Sequence, residues 1–127
     1  MPAPEPKGSN KATFCPVSLP GGHYEAGPSL FPGNVIKGIN AKYSKYDQES
    51  WGQHVLSECE KEPACTSSLG FAAVNSGSTG GKFWFGYTFR GGPTTTANYT
   101  ESAAASDATA YTIVKGKGGC NAGSYPS

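Results

Sequence analysis

Apolar residues in this chain fall into short, separated groups whose spacing predicts one helix and a few strands. Trp51, Val55, Leu56 and Cys59 recur at helical intervals, while Glu58, Lys61 and Glu62 lie off that stripe. Ser50 and Gln53 have the i, i+3 spacing of a capping box, which predicts a helix starting at Ser50. Pro63 ends it within about three turns, because a proline disfavours helical geometry at the residue before it. Lys82 to Arg90, KFWFGYTFR, is the clearest strand. Its alternation sets Phe83, Phe85, Tyr87 and Phe89 on one face and Lys82, Trp84, Gly86, Thr88 and Arg90 on the other.

Three further strands are predicted. Val35 to Lys42 puts Val35, Ile39 and Ala41 on one face and Ile36 on the other; Leu69 to Val74 reads as a short buried strand. Ala108 to Lys115 closes the domain, with Tyr111 and Ile113 sharing a face and Val114 opposite. Between them, Thr13 to Pro32 alternates apolar pairs with Pro-Gly punctuation, Asn75 to Gly81 is turn chemistry throughout, and Gly91 to Asp107 is a Thr- and Ala-rich surface loop or edge excursion anchored only by Tyr99. Residues 1–12, MPAPEPKGSNKA, lack apolar periodicity and are expected to be a disordered arm before a single domain over 13–127. The fold class expected is α+β: one main helix packed on a mainly antiparallel sheet, stabilised by disulfides, with long Gly/Pro/Thr-rich loops.

Composition narrows the functions available. The 18 Gly and 10 Pro exclude a coiled coil or helical bundle. A net charge of +1, with Arg90 the only arginine among ten cations, argues against nucleic-acid binding. No apolar run approaches the roughly 20 residues of a membrane-spanning helix. Four cysteines in a small loop-rich chain fit an oxidised, exported protein. Because Met1-Pro2-Ala3-Pro4 is not an apolar leader, export implies that a leader has been removed and that Met1 is not native to the mature chain. Asn98-Tyr99-Thr100 is a glycosylation sequon consistent with an extracellular surface.

Four cysteines allow three connectivities, which spacing separates only in part. The favoured pairing is Cys15 with Cys120, closing a loop of about 100 residues worth roughly 4–5 kcal/mol, and Cys59 with Cys65, pinning a helix end for about 2 kcal/mol. Neither a metal nor another cofactor is expected: His54, Cys59 and Cys65 offer no C-x-x-C pair and no nearby fourth ligand.

For catalysis, His23, Glu25 and Arg90 are the groups a small secreted ribonuclease would use, but no histidine follows His54, which belongs to the polar side of the predicted helix. Asp47, Glu49, Glu58, Glu60 and Glu62 cluster on the helix and its flanks and read as a solvated face, not as carboxylates opposed across a cleft. There is no G-x-S-x-G, and the glycine-rich segments lack the lysine of a phosphate loop. Binding fits better than catalysis. The proposed ligand-binding residues are Trp84 flanked by Lys82 and Arg90, an aromatic platform for a sugar ring or protein partner if Trp84 is not packed beneath the helix.

Ser50 to Phe71, SWGQHVLSECEKEPACTSSLGF, resembles the centre of a PAN/apple-type domain, with a cysteine on a helix, a short polar link to a second cysteine, and a strand bearing Gly-Phe. Pro32 to Gly38 resembles the strand before that helix, Ala110 to Val114 resembles the closing strand, and Cys15 and Cys120 stand where a bridge joining the domain ends is expected. The family's second helix cysteine and its partner are missing, with Phe83 and Phe85 on the later strand instead. The resemblance implies an adhesion module that binds proteins or carbohydrates and has no catalytic residues. In composition the chain is also similar to small secreted fungal effectors or elicitors, which implies action outside the producing cell on a host surface protein or wall polysaccharide; a monomer is expected, with no nucleic-acid partner and no membrane span.

Overall fold

Asp47, not Ser50, caps the helix. In the computed structural model, which describes residues 13–74 and 81–114, the Ser50 N–H donates to Asp47 Oδ1 at 2.8 Å and the Asp47 N–H donates to Ser50 Oγ at 3.0 Å. The reciprocal box therefore lies three residues upstream of the predicted one, because an aspartate already occupies the cap and Ser50 serves as its partner. The helix, α1, spans Gln48–Glu60, and the Ser50 N–H holds the Asp47 carboxyl below its usual range. Gln53 instead donates to the Tyr111 hydroxyl.

The strands are β1 (Thr13–Val17), β2 (Tyr24–Ala26), β3 (Val35–Lys42), β4 (Ser67–Val74), β5 (Lys82–Phe89), β6 (Tyr99–Glu101) and β7 (Ser106–Val114). Five form one sheet in the order β1-β7-β4-β5-β3, with every neighbouring pair antiparallel. Helix α1 packs on one face of it, against β4, β5 and β7. On the opposite face, β2 and β6 pair as a two-stranded ribbon over β4 and β7. The expected α+β arrangement is present, and the ribbon and β1 are additions to it. Residues 1–12, the segment 75–80, Lys115 and the tail with Cys120 lie outside the described residues.

Three expectations change. Val35 and Ile36 exchange faces because a bulge between Val35 and Lys37 inserts a residue into β3: Ile36 now packs with Leu56 and Cys59 under the helix, and Val35 with the opposite core. Gly91 to Asp107 contains β6 and buries Tyr99, Thr94 and Ala105, so it is a core-forming excursion. His54 is half-buried rather than solvated, lying 5.4 Å from both the Tyr46 and Trp51 rings because it falls three residues after Trp51 on the helix.

The Cys59–Cys65 bridge fastens the last turn of α1 to the approach to β4, with Cα atoms 5.3 Å apart. Cys15 is also disulfide-bonded; its expected partner, Cys120, is outside the described residues.

The helix sits close because the sheet is hollow beneath it. Gly70 on β4 and Gly86 on β5 are register partners, and a Cβ on Gly86 would fall 2.5 Å from Val55 Cγ2, while one on Gly70 would fall 2.7 Å from Trp51 Cδ1. Trp51 and Val55 fill that hollow, and the Trp51 indole N–H donates to the Phe85 carbonyl at 2.9 Å. At the edge strand, Lys37 and Lys61 ion-pair with Glu58 at 2.9 and 3.3 Å and hold its carboxyl below the usual range.

Two outcomes follow from this packing. Gly86→Ala should cost about 1–3 kcal/mol by overpacking, whereas Gly81→Ala, with open space at its Cβ, should stay within about 0.5 kcal/mol; urea titrations compare them. Tyr99, buried and hydrogen-bonded to Thr94, has its phenol pushed up to about 12 chiefly by burial. An unfolded tyrosine ionises near pH 10, so this contribution is intact below pH 10 and is lost as pH rises from about 10 to 12, by about 2–3 kcal/mol. Tyr99→Phe should be about 1 kcal/mol less stable at neutral pH for its lost hydrogen bond, yet lack this part of the alkaline fall in a pH series of chemical denaturation.

Candidate functional site

β5 divides its side chains between two environments. On the helix side, Trp84 is only 1% exposed, and its indole N–H is shared between the carbonyls of Tyr43 and Tyr46 at 3.0 and 3.1 Å. It stacks on Tyr43 and lies 6.1 Å from the Trp51 ring. The proposed Trp84 platform is therefore corrected: its indole is consumed in packing beneath the helix. Lys82 reaches outward over the Tyr43 ring, 5.2 Å from its centroid, and Arg90 stands at the opposite end of the strand. Eight residue steps of extended chain separate them, roughly 26 Å, so they do not flank one ring.

Arg90 has a different task. Its guanidinium donates to the Gly33 carbonyl at 3.1 Å and its backbone N–H donates to the Asn34 carbonyl at 2.9 Å. Asn98, the sequon residue, donates from Nδ2 to Ser29 Oγ, and its carbonyl accepts from the Gly27 N–H. Both residues hold the loop from Gly27 to Asn34 against the sheet. Leu30 anchors that loop in the core, and its neighbour Phe31 is left 45% exposed.

Phe31 lies beside the other face of β5. Phe83, Phe85 and Tyr87 point there, away from the helix, each partly exposed, because the ribbon covers β4 and β7 and leaves this part of the sheet open. The Tyr87 ring rests on Gly38, its register partner on β3, where a Cβ would come within 3.2 Å of the ring. Phe31 meets Tyr87 edge to face at 5.4 Å and 73°, and Phe71 lies 5.8 Å from Phe85 and 6.3 Å from Tyr87. Phe31, Phe71 and Tyr87, with Glu25 and Ala26 from β2, line a cleft of about 90 Å3. Burial, and secondarily the Glu25 carboxylate, pushes the Tyr87 phenol up, so it remains a protonated hydrogen-bond donor at neutral pH.

His23 and Glu25, both on or next to β2, meet through Ser102, whose backbone N–H donates to the His23 carbonyl. His23 Nδ1 is 2.8 Å from the Ala105 carbonyl, and the ring borders two shallow depressions of about 380 and 430 Å3 formed with residues 101–106, Val74 and Lys82. Ser102 Oγ donates to Glu25 Oε2. Arg90 is engaged at the Gly27–Asn34 loop, through the Gly33 carbonyl. Among the described residues no group of three or more His, Cys, Asp or Glu side chains is placed to hold a metal ion, and no helix is long and apolar enough to cross a membrane.

The aromatic face was visible in the sequence as the Phe83-Phe85-Tyr87-Phe89 alternation, but of these only Phe89 is fully buried. The missed signal is Gly86 between Phe85 and Tyr87: a glycine on the Trp84 face marks where the helix approaches. No protein-family model matches the chain, and neither a curated protein nor a solved structure is significantly similar to it.

Proposed function

We propose that the protein is a secreted, non-enzymatic recognition module that binds a surface polysaccharide through the aromatic face of its sheet. The observation that carries this reading is the row of partly exposed rings, Phe31, Phe85 and Tyr87 with Phe83 beyond them, outside the helix-packed core and bordered by the Glu25 carboxylate. Side chains of one strand face recur about every 6.8 Å, so Phe83, Phe85 and Tyr87 form a flat apolar strip along which successive sugar rings can stack. Carboxylate, phenol and the exposed Asn40 amide, which shares this face opposite Phe85, supply hydrogen bonds to hydroxyl groups. A few placed polar groups on a mostly apolar surface is the usual composition of a small-molecule recognition site.

Action outside the producing cell, as an effector- or elicitor-like protein, is supported by the Cys59–Cys65 bridge and the disulfide-bonded Cys15. The adhesive character implied by the PAN/apple resemblance points the same way. A host surface protein is the other partner class this face would fit, but the shallow cleft and ring spacing favour a glycan.

Co-sedimentation with insoluble β-1,3-glucan and with a β-1,4-linked N-acetylglucosamine polymer tests the reading. Binding to at least one is expected, weakened about tenfold or more by Phe31→Ala or Tyr87→Ala, with the melting temperature of Phe31→Ala close to the parent's because this ring is outside the core. Parental binding in both variants, or no binding to either polymer, would remove the assignment.

A further inference from the structure

The cleft at one end of the aromatic strip has a composition the strip alone does not require. Three aromatic side chains, Phe31, Phe71 and Tyr87, share it with one carboxylate, Glu25. Glu25 is half-buried and forms no ion pair among the described residues: the ion pairs there join Glu58 to Lys37 and Lys61. Its Oε2 accepts from Ser102 Oγ, whereas Oε1 makes no hydrogen bond to a described residue. The lysine on this face of the sheet, Lys42, pairs in register with Phe83, about 13 Å along β3 from the glycine beneath Tyr87. Among the described residues, a carboxylate is thus held at an aromatic-lined cleft without an ion-pair partner.

Aromatic faces and a carboxylate attract the same kind of ligand. The negative face of a ring draws a cation within about 6 Å of its centroid, most strongly when water is displaced, and the carboxylate adds direct charge pairing and an acceptor for N–H donors. The size agrees. A cleft of about 90 Å3 has the volume of about three waters, well below the roughly 300–1,000 Å3 of pockets that enclose a whole drug-sized ligand. It accommodates a substituent while the rest of the ligand lies on the strip.

We infer that the Glu25–Phe31–Phe71–Tyr87 cleft takes an organic ammonium group, the protonated amine of a de-N-acetylated amino sugar whose neighbouring rings lie along Tyr87, Phe85 and Phe83. This rests on the glycan-binding reading and narrows it to a ligand class. Acetylation of the amine removes both its charge and its fit to the cleft. An anionic uronic-acid polymer is repelled by Glu25 for the same reason that the amine is attracted.

Isothermal titration of the full chain with three probes tests this: a β-1,4-linked glucosamine hexamer, the N-acetylglucosamine hexamer and choline. The glucosamine hexamer is expected to bind at least tenfold more tightly than its N-acetylated counterpart. Glu25→Gln, which preserves shape and an acceptor for Ser102, should abolish that preference, bringing the two hexamers' affinities to within about twofold of each other. Phe31→Ala should weaken both hexamers. Equal affinities in the parent, or a preference that survives Glu25→Gln, would overturn the ammonium site while leaving glycan binding standing. Choline binding without either hexamer would overturn the amino-sugar assignment and the glycan reading together. Binding of the N-acetylated hexamer alone would overturn the ammonium site only.

Discussion

Everything in this domain is arranged around the absence of two side chains. Gly70 and Gly86, side by side on β4 and β5, leave a hollow into which α1 lowers Trp51 and Val55, at distances where any Cβ would collide. That approach brings the indole of Trp51 within hydrogen-bonding reach of a β5 carbonyl and lets it share a stack with Trp84 and Tyr43. Buried indoles need partners for their N–H groups, and both have them. The helix is then fixed at its ends: Asp47 caps its first turn and the Cys59–Cys65 bridge ties its last turn to β4. A helix carrying so little of its own propensity, with glycine, histidine, tryptophan and valine inside it, depends on this packing for its stability.

The same strand makes the opposite face what it is. Strand geometry sends alternate residues to opposite sides, so the small and hydrogen-bonded residues under the helix leave Phe83, Phe85 and Tyr87 together on the other side. The ribbon of β2 and β6 covers one part of that side and delivers Glu25 to its edge. Arg90 and Asn98, each conspicuous in the sequence for other reasons, pin the loop that presents Phe31. The fully buried helix-packed residues and the partly exposed aromatic strip are in this way divided between the two faces of a single strand.

Much of the fold was legible because its main elements carry strong periodicity. The stripe Trp51-Val55-Leu56-Cys59 is fully buried as spaced, and the alternation of β5 holds residue for residue. What escaped has physical reasons. β1 contains Pro16, which only an edge strand tolerates, and β2 and β6 are each three residues long, too short to show a period of two. The bulge at Ile36 reverses two side chains through backbone geometry that no hydrophobic pattern records. Trp84, the larger ring, turns under the helix because its N–H finds the Tyr43 and Tyr46 carbonyls there, whereas Phe83 and Phe85, with no polar atom, stay partly exposed on the other face. Glu25 has the residue type of an acid–base catalyst, and its aromatic neighbours Phe31, Phe71 and Tyr87 are distant in sequence, so only the fold brings them together.

The central claim is that ligand recognition resides on the helix-free face of β5 while the tryptophan face is sealed. Aromatic carbon–proton NMR spectra recorded during titration with the β-1,4-linked glucosamine hexamer test it most directly, since each ring reports its own surroundings. The account predicts shifts at Phe31, Phe85 and Tyr87, with smaller ones at Phe71, and unchanged indole N–H signals for Trp51 and Trp84. Perturbation centred on Trp84 and Tyr43, with the Phe31 and Tyr87 rings unmoved, would contradict it.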